Sequence, residues 1–103
     1  MLIKYKGMQV APAELEGLLL THPAVADAAV IPSPNEEAGE VPKAFVVLRT
    51  PLDPDALMEF IACRVAPHKK IRRVQILDAI PRSASGKILR VLVEQERAAQ
   101  RAG

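Results

Sequence analysis

With 103 residues, half of them hydrophobic, the chain has the apolar content for one small core and is expected to form a single domain. A deep substrate pocket usually needs more chain or an interface between two domains, which already speaks against a complete enzyme. Fourteen basic against twelve acidic residues, with one Tyr, two Phe and no Trp, supply neither the dense basic footprint nor the stacking platform of a bulk nucleic-acid binder, so no nucleic-acid partner is expected.

Taken in chain order, residues 2 to 6 alternate Leu, Ile, Lys, Tyr, Lys and reach Gly7, with Met8 to Val10 returning, which predicts a small β-hairpin. Pro12 suits the first turn of a helix, Glu14 and Glu16 complement its positive end, and Leu15, Leu18 and Leu19 form an apolar stripe, giving a first helix over 12–21. After His22-Pro23, the Ala/Val/Ile-rich run Val25 to Ile31 reads as a strand bounded by the turn cluster Pro32-Ser33-Pro34-Asn35. An acidic loop, Asn35 to Glu40, leads to a second buried strand over Ala44 to Leu48, expected to pair with the first.

Asp53-Pro54 signals another helix start, and Leu57, Phe60, Ile61 and Val65 recur at helical spacing before Pro67, which predicts a helix over 54–65. Val74 to Leu77 makes a further strand, Pro81 to Gly86 a polar loop, and Ile88 to Gln100 a last helix rich in good helix formers. Helices packed on a small sheet, an α+β domain, are the expected fold; periodicity does not supply the strand order.

Cys63 is the sole cysteine, so no intramolecular disulfide or cysteine-rich zinc site can form, in keeping with a reducing cytoplasm. No apolar run approaches membrane-spanning length, and the start turns polar too early for a signal peptide, so a protein without a transmembrane segment is expected. His22 and His68 lack a third ligand at useful spacing, and no metal site is expected. Cys63 has no obvious basic activator and reads as structural or incidental, and Glu36, Glu37 and Glu40 read as a solvated acidic loop rather than an acid–base set.

The stretch Pro81-Arg82-Ser83-Ala84-Ser85-Gly86-Lys87 sets a lysine at the end of a small-residue loop and the start of a helix. There, helix N–H groups and an ammonium can converge on a phosphate, Gly86 permits close backbone approach, and Ser83 and Ser85 offer further donors. It is not a Walker A loop, because Pro81 stands where the first glycine belongs and Ile88 where Ser or Thr would bind magnesium. On these residues alone, a phosphate-facing lysine and a solvated helix-start lysine are equally good readings. The basic group His68-Lys69-Lys70 with Arg72 and Arg73 is open in the same way: it can attract the phosphates of a ligand by charge, or be a solvated surface, the reading slightly favoured.

Tyr5-Lys6-Gly7-Met8-Gln9-Val10-Ala11-Pro12-Ala13-Glu14-Leu15-Glu16 and Pro81-Arg82-Ser83-Ala84-Ser85-Gly86-Lys87-Ile88-Leu89-Arg90 resemble two motifs of the C-terminal domain of adenylate-forming enzymes. His22 to Val30 and Glu36 to Pro42 fit the same pattern, so the resemblance covers essentially the whole chain. The Ala-Pro-Ala-Glu-Leu-Glu wording is most similar to 4-coumarate-CoA ligases, medium and long-chain acyl-CoA synthetases and firefly luciferase, less to nonribosomal peptide synthetase adenylation domains.

The resemblance implies an AMP-forming acid–thiol ligase: a carboxylate attacks the α-phosphate of ATP to give acyl-AMP and pyrophosphate, then the CoA thiolate displaces AMP. It implies that this domain rotates between the steps, with Lys87 the catalytic lysine of the first and the hairpin facing the site in the second. Gly7 matches the glycine lying along the pantetheine tunnel, with a simple turn glycine as the alternative. Lys4 matches a hairpin lysine and is a supporting cation on the CoA side, with Lys69 a further CoA-side candidate and Ser85 and Gly86 on the phosphate side.

ATP, CoA and Mg2+ are the implied cofactors of a full-length enzyme, none held tightly by this domain alone. The implied partners are a large N-terminal adenylation domain, joined at a hinge just before Met1, and a small carboxylic acid; the isolated chain is expected to be inactive. The competing class is a detached noncatalytic module that binds a phosphate ligand or a partner protein, and a luciferase-like oxidase is a third reading.

Overall fold

The computed structural model describes residues 2–80 and 87–102, with side chains for 2–80 and 91–100. Strands β1 (Ile3–Tyr5) and β2 (Met8–Val10) form the expected hairpin, followed by helix α1 (Pro12–Leu20), strands β3 (Val25–Asn35) and β4 (Gly39–Leu48), helix α2 (Pro54–Ala62), a 3₁₀ turn at Pro67–Lys69, strand β5 (Arg73–Ile76) and helix α3 (Lys87–Ala102). The sheet order is β2-β1-β4-β3, and β5 lies against β4. All pairs are antiparallel except β4 with β5, which run parallel. The α+β expectation holds, and the strand order is what the structure adds.

Local chemistry explains most element starts. Lys6 and Gly7 both take positive φ, 50° and 81°, the two-residue turn whose twist suits a hairpin, while Tyr5 pairs with Met8 and Ile3 with Val10. Pro12 and Pro54 each stand at the first position of their helices, and the Asp53 carboxylate caps α2 by accepting the Asp55 N–H at 2.8 Å. Helix α2 stops at Ala62, three residues before the expected end at 65. Pro67 could not continue a helix without removing an N–H and crowding the carbonyl four residues back, and the residue before it, Ala66, is extended at ψ 152°.

The β3–β4 hairpin corrects the sequence reading more deeply. Pro32-Ser33-Pro34-Asn35 is not a turn but the end of β3, and β4 begins at Gly39 rather than Ala44. Pro32 faces Pro42 across the ladder, so the two residues without N–H groups share one position and neither deprives an ordinary partner of a bond. The turn is then only residues 36–38, held by the Asn35 side chain, which accepts the N–H groups of Glu37 and Ala38 at 3.1 and 2.9 Å.

Because β3 and β4 are covered on both faces, their sequences read as near-continuous apolar runs, and only the pairing sorts the residues. Ala28 pairs with Val46 and Val30 with Ala44 on one face; Ala29 pairs with Phe45 and Ile31 with Lys43 on the other. The first set joins Leu15 and Leu19 of α1, Leu57 and Ile61 of α2, and Ile3, Val10, Val25 and Ile71 in one core. The second set packs with Ile80 and with Val93 of α3. The molecule is a three-layer sandwich, α1 and α2 on one side of the sheet and α3 on the other.

Candidate functional site

Two regions carry the residues singled out from the sequence. The first is the hairpin end. Lys4 is exposed on β1 and its N–H donates to the Glu40 carboxylate at 2.9 Å, while the Lys6 N–H donates to the Ala38 carbonyl at 2.8 Å. The hairpin is thus tied to the β3–β4 turn, and Glu40 has a structural task in place of a purely solvated one. Gly7 is exposed at the tip; its φ of +81° disfavours any side chain, and a Cβ there would meet nothing within 4 Å. Both properties needed of a glycine that approaches a ligand closely, the turn and the open face, are present.

Beside the hairpin lies an open cleft of about 290 Å³, lined among others by Tyr5, Lys6, Asn35, Arg72 and Arg73. Arg72 stacks 4.2 Å from the centre of the Tyr5 ring and donates to the Pro67 carbonyl at 2.8 Å and to the Lys70 carbonyl. Lys69 is paired with Glu14 of α1 at 3.0 Å, and Arg73 donates to Ser33 and, at 3.0 Å, to the Pro34 carbonyl. The basic group is therefore not simply a solvated surface: Lys69, Arg72 and Arg73 are each engaged within the fold. Lys70 is exposed and His68 half-buried.

The second region is the start of α3. Lys87 is its first helical residue, one earlier than the expected start, which fixes its backbone at the positive end of a 16-residue helix. Ser85 and Gly86, with the rest of the loop 81–86, lie outside the described residues.

The sequence reading missed a third feature, which tethers α3 to the sheet. Glu96 is buried, its side chain 4% exposed, and Lys43 reaches it at 2.6 Å with its own side chain only 11% exposed. The Ser33 hydroxyl donates to Glu96 at 2.5 Å, the Gln100 amide at 3.1 Å, and an Arg73 nitrogen lies 3.7 Å away. Burial pushes the Glu96 carboxyl up, but the bonds from Lys43 and Ser33 and the Lys43 charge outweigh it and hold the group below the ordinary carboxylate value. A signal existed in the sequence: Lys43 interrupts an apolar run at a position facing the α3 side, and Glu96 and Gln100 continue the helical stripe begun by Val93.

The remaining candidates have partners of their own. His22 accepts the Ala24 N–H at 3.0 Å and meets Phe60 edge-on, and among the described residues no group of three or more His, Cys, Asp or Glu could hold a metal ion. Cys63 is exposed, and its S–H bond to Glu59 and the charge of that carboxylate push the thiol pKa up, the opposite of an activated nucleophile. Glu16, expected to complement a helix end, instead accepts the Val30 N–H at 2.8 Å and so closes part of the β3 edge. Among the described residues no helix is long and apolar enough to cross a membrane.

Residues 14–87 match the family model described as the AMP-binding enzyme C-terminal domain. The chain is 61% identical over 89 residues to a 4-coumarate–CoA ligase of Pinus taeda, covering 86% of this chain and 17% of that protein, and 59% identical over 91 residues to the peroxisomal OPC-8:0-CoA ligase 1 of Arabidopsis thaliana, with the same coverage. It superposes on a Mycobacterium tuberculosis fatty acyl CoA synthetase with a TM-score of 0.83 at 37% identity, over 95% of this chain and 20% of that one. The o-succinylbenzoate CoA synthetase of Bacillus subtilis, solved with its acyl-adenylate intermediate, gives 0.79 at 40% identity, over 87% and 19%. The chain thus spans about a fifth of the length of the proteins it matches.

Proposed function

Because the chain belongs to the family of AMP-binding enzyme C-terminal domains, we propose that it is the mobile catalytic domain of an acid–thiol ligase, working with a large N-terminal adenylation domain. The observation that carries this reading is the match to the AMP-binding enzyme C-terminal domain over residues 14–87, supported by 61% identity over 86% of the chain to 17% of a 4-coumarate–CoA ligase. ATP, CoA and a small carboxylic acid are the substrates this assigns. The described residues hold no metal-binding cluster, and Mg2+ is assigned to the adenylation domain. No described helix suits a membrane span, and we place the protein in the cytoplasm, although one relative is named peroxisomal.

In the first half-reaction a carboxylate oxygen attacks the α-phosphorus of ATP and the bond to pyrophosphate breaks. Lys87 is the catalytic residue of this step, its ammonium meeting the negative charge that builds between the carboxylate and the α-phosphate. A lysine about 4 Å from an anionic oxygen contributes at most about 4 kcal/mol at an effective dielectric near 20. If all of it is specific to the transition state, that is about a thousandfold in rate. In the second half-reaction the CoA thiolate attacks the acyl carbon, the bond to AMP breaks, and the Gly7 turn and Lys4 face the site, with Lys69 on the CoA side and Ser85 and Gly86 on the phosphate side of the first.

The test is complementation. Adding the matching adenylation domain to this chain is expected to give acid-dependent ATP–pyrophosphate exchange, and Lys87→Ala to remove about three orders of magnitude of it. Exchange indifferent to Lys87→Ala would sink the assignment.

A further inference from the structure

We propose that Glu96 is a positioning residue for Lys87: it locks α3 on the sheet in one rotation and register, so that the first residue of that helix is presented at a fixed place. The proposal rests on the reading of Lys87 given above and deepens it.

The argument starts from the sheet. Lys43 and Arg73 are direct partners across the parallel β4–β5 pair, on the face covered by α3. Two like charges opposite one another repel, and here one of them is nearly buried, so that face requires an anion. Glu96 supplies it from the helix. One of its oxygens takes the Lys43 ammonium at 2.6 Å; the other takes Ser33 at 2.5 Å and Gln100 at 3.1 Å, with Arg73 at 3.7 Å. A single side chain of α3 therefore binds β3, β4 and β5 together.

Apolar contact alone would fix the helix less firmly, because burial of Val93 against Ile31 and Phe45 is non-directional. Charge-assisted hydrogen bonds to both oxygens of one carboxylate have a narrow geometry. A slip of one residue rotates a helix by about 100° and shifts it by about 1.5 Å, which would take Glu96 off its cations and re-aim residue 87 by the same amounts. Fixing register is the best attested use of a buried charged group. From Glu96 to Lys87 is nine residues of continuous helix, about 13 Å, over which a helix transmits its orientation as a rod.

The experiment uses the full chain with its adenylation domain and compares two half-reactions: ATP–pyrophosphate exchange, and thioester formation from acyl-AMP prepared beforehand. Glu96→Gln is expected to lower exchange by about 10–100-fold while leaving thioester formation unchanged, since a misplacement of about 1 Å is enough to cost two orders of magnitude. In a Lys87→Ala background, Glu96→Gln is expected to cost nothing further. Should Glu96→Gln fold poorly by circular dichroism, Lys43→Met is expected to reproduce the selective loss and Lys43→Arg to retain the wild-type rate.

Equal losses in both half-reactions, a further loss in the Lys87→Ala background, or normal exchange in a Lys87-dependent enzyme would each overturn the positioning role and leave the proposed function standing. Exchange insensitive to Lys87→Ala removes the proposed function and the positioning role together.

Discussion

The two faces of the sheet are held by different physics. On the α1–α2 side, Leu15, Leu19, Leu57 and Ile61 are sealed against Val30, Ala44 and Val46, a joint made of area and shape. On the α3 side, among the described residues, Val93 and Ile80 pack on Ala29, Ile31 and Phe45, and next to them sits an ion cluster of Lys43, Arg73, Ser33 and Glu96. The first joint resists opening; the second also resists rotation. The helix on the directional joint is the one that begins with Lys87.

The largest expected effect lies on the apolar face. Leu19→Ala removes a fully buried side chain and is expected to cost about 2–5 kcal/mol, read as a lower urea midpoint for the whole molecule. Because β3 and β4 contribute to both cores, a loss on this face is expected to loosen both layers together.

Glu96→Ala should cost less, about 1–3 kcal/mol, because Lys43, though nearly buried, keeps its bond to Gln75 at 3.0 Å and Arg73 keeps solvent access. Amide hydrogen exchange tells the two apart: the Glu96 variant is expected to quicken exchange in 91–100 before it does so in α1 or α2. A uniform rise over all three helices would erase the distinction between the faces.

The same joint carries a pH signature. Lys43 from β4 and Arg73 from β5 are the charged groups that the described residues turn toward Glu96; burial pushes its carboxyl up, and the bonds from Lys43, Ser33 and Gln100 with the Lys43 charge outweigh that and hold it below the ordinary value. A depressed carboxylate pKa contributes stability that is complete above the unfolded value of about 4.3 and is lost as pH falls through the folded value. The advantage of wild type over Glu96→Gln in thermal melting is therefore expected to be level from neutral pH to about 5 and to shrink below about 4.3. An advantage that grew on acidification would mean that the carboxylate is not held by these cations.

The smallest effect is expected at the Lys69–Glu14 pair, which lies at the surface. Lys69→Ala should change stability by about 0.5 kcal/mol or less, and less again in high salt. With Lys69 on the CoA side, the same substitution is expected to lower thioester formation while stability stays near wild type; unchanged thioester formation would remove Lys69 from the CoA side.

How much of this was legible in the residues follows from the range of the interactions. Pro12, the Asp53-Pro54 start and the turn at Gly7 are decided within a few residues and are legible in the sequence, although Lys6, expected in the strand, belongs to that turn. The end of α2 was placed three residues late, since the apolar spacing continues to Val65, which packs on the core from outside the helix. The Pro32 to Asn35 segment was misread as a turn because the chemistry that makes it a strand is supplied by its partner, Pro42 opposite Pro32.

The site divides along the same line. The sequence by itself determined the family motifs, Gly7 in its turn and Lys87 at a helix start, because glycine at positive φ and a lysine beside helix N–H groups are local facts. Only the tertiary structure decided that Lys43 and Arg73 are neighbours, that Glu96, 53 residues beyond Lys43, is their common anion, and that Lys69 and Arg72 are already engaged. Charges a few residues apart repel or attract wherever the chain goes, but a buried ion pair exists only once a sheet register and a helix rotation have brought its members into a space that water has left.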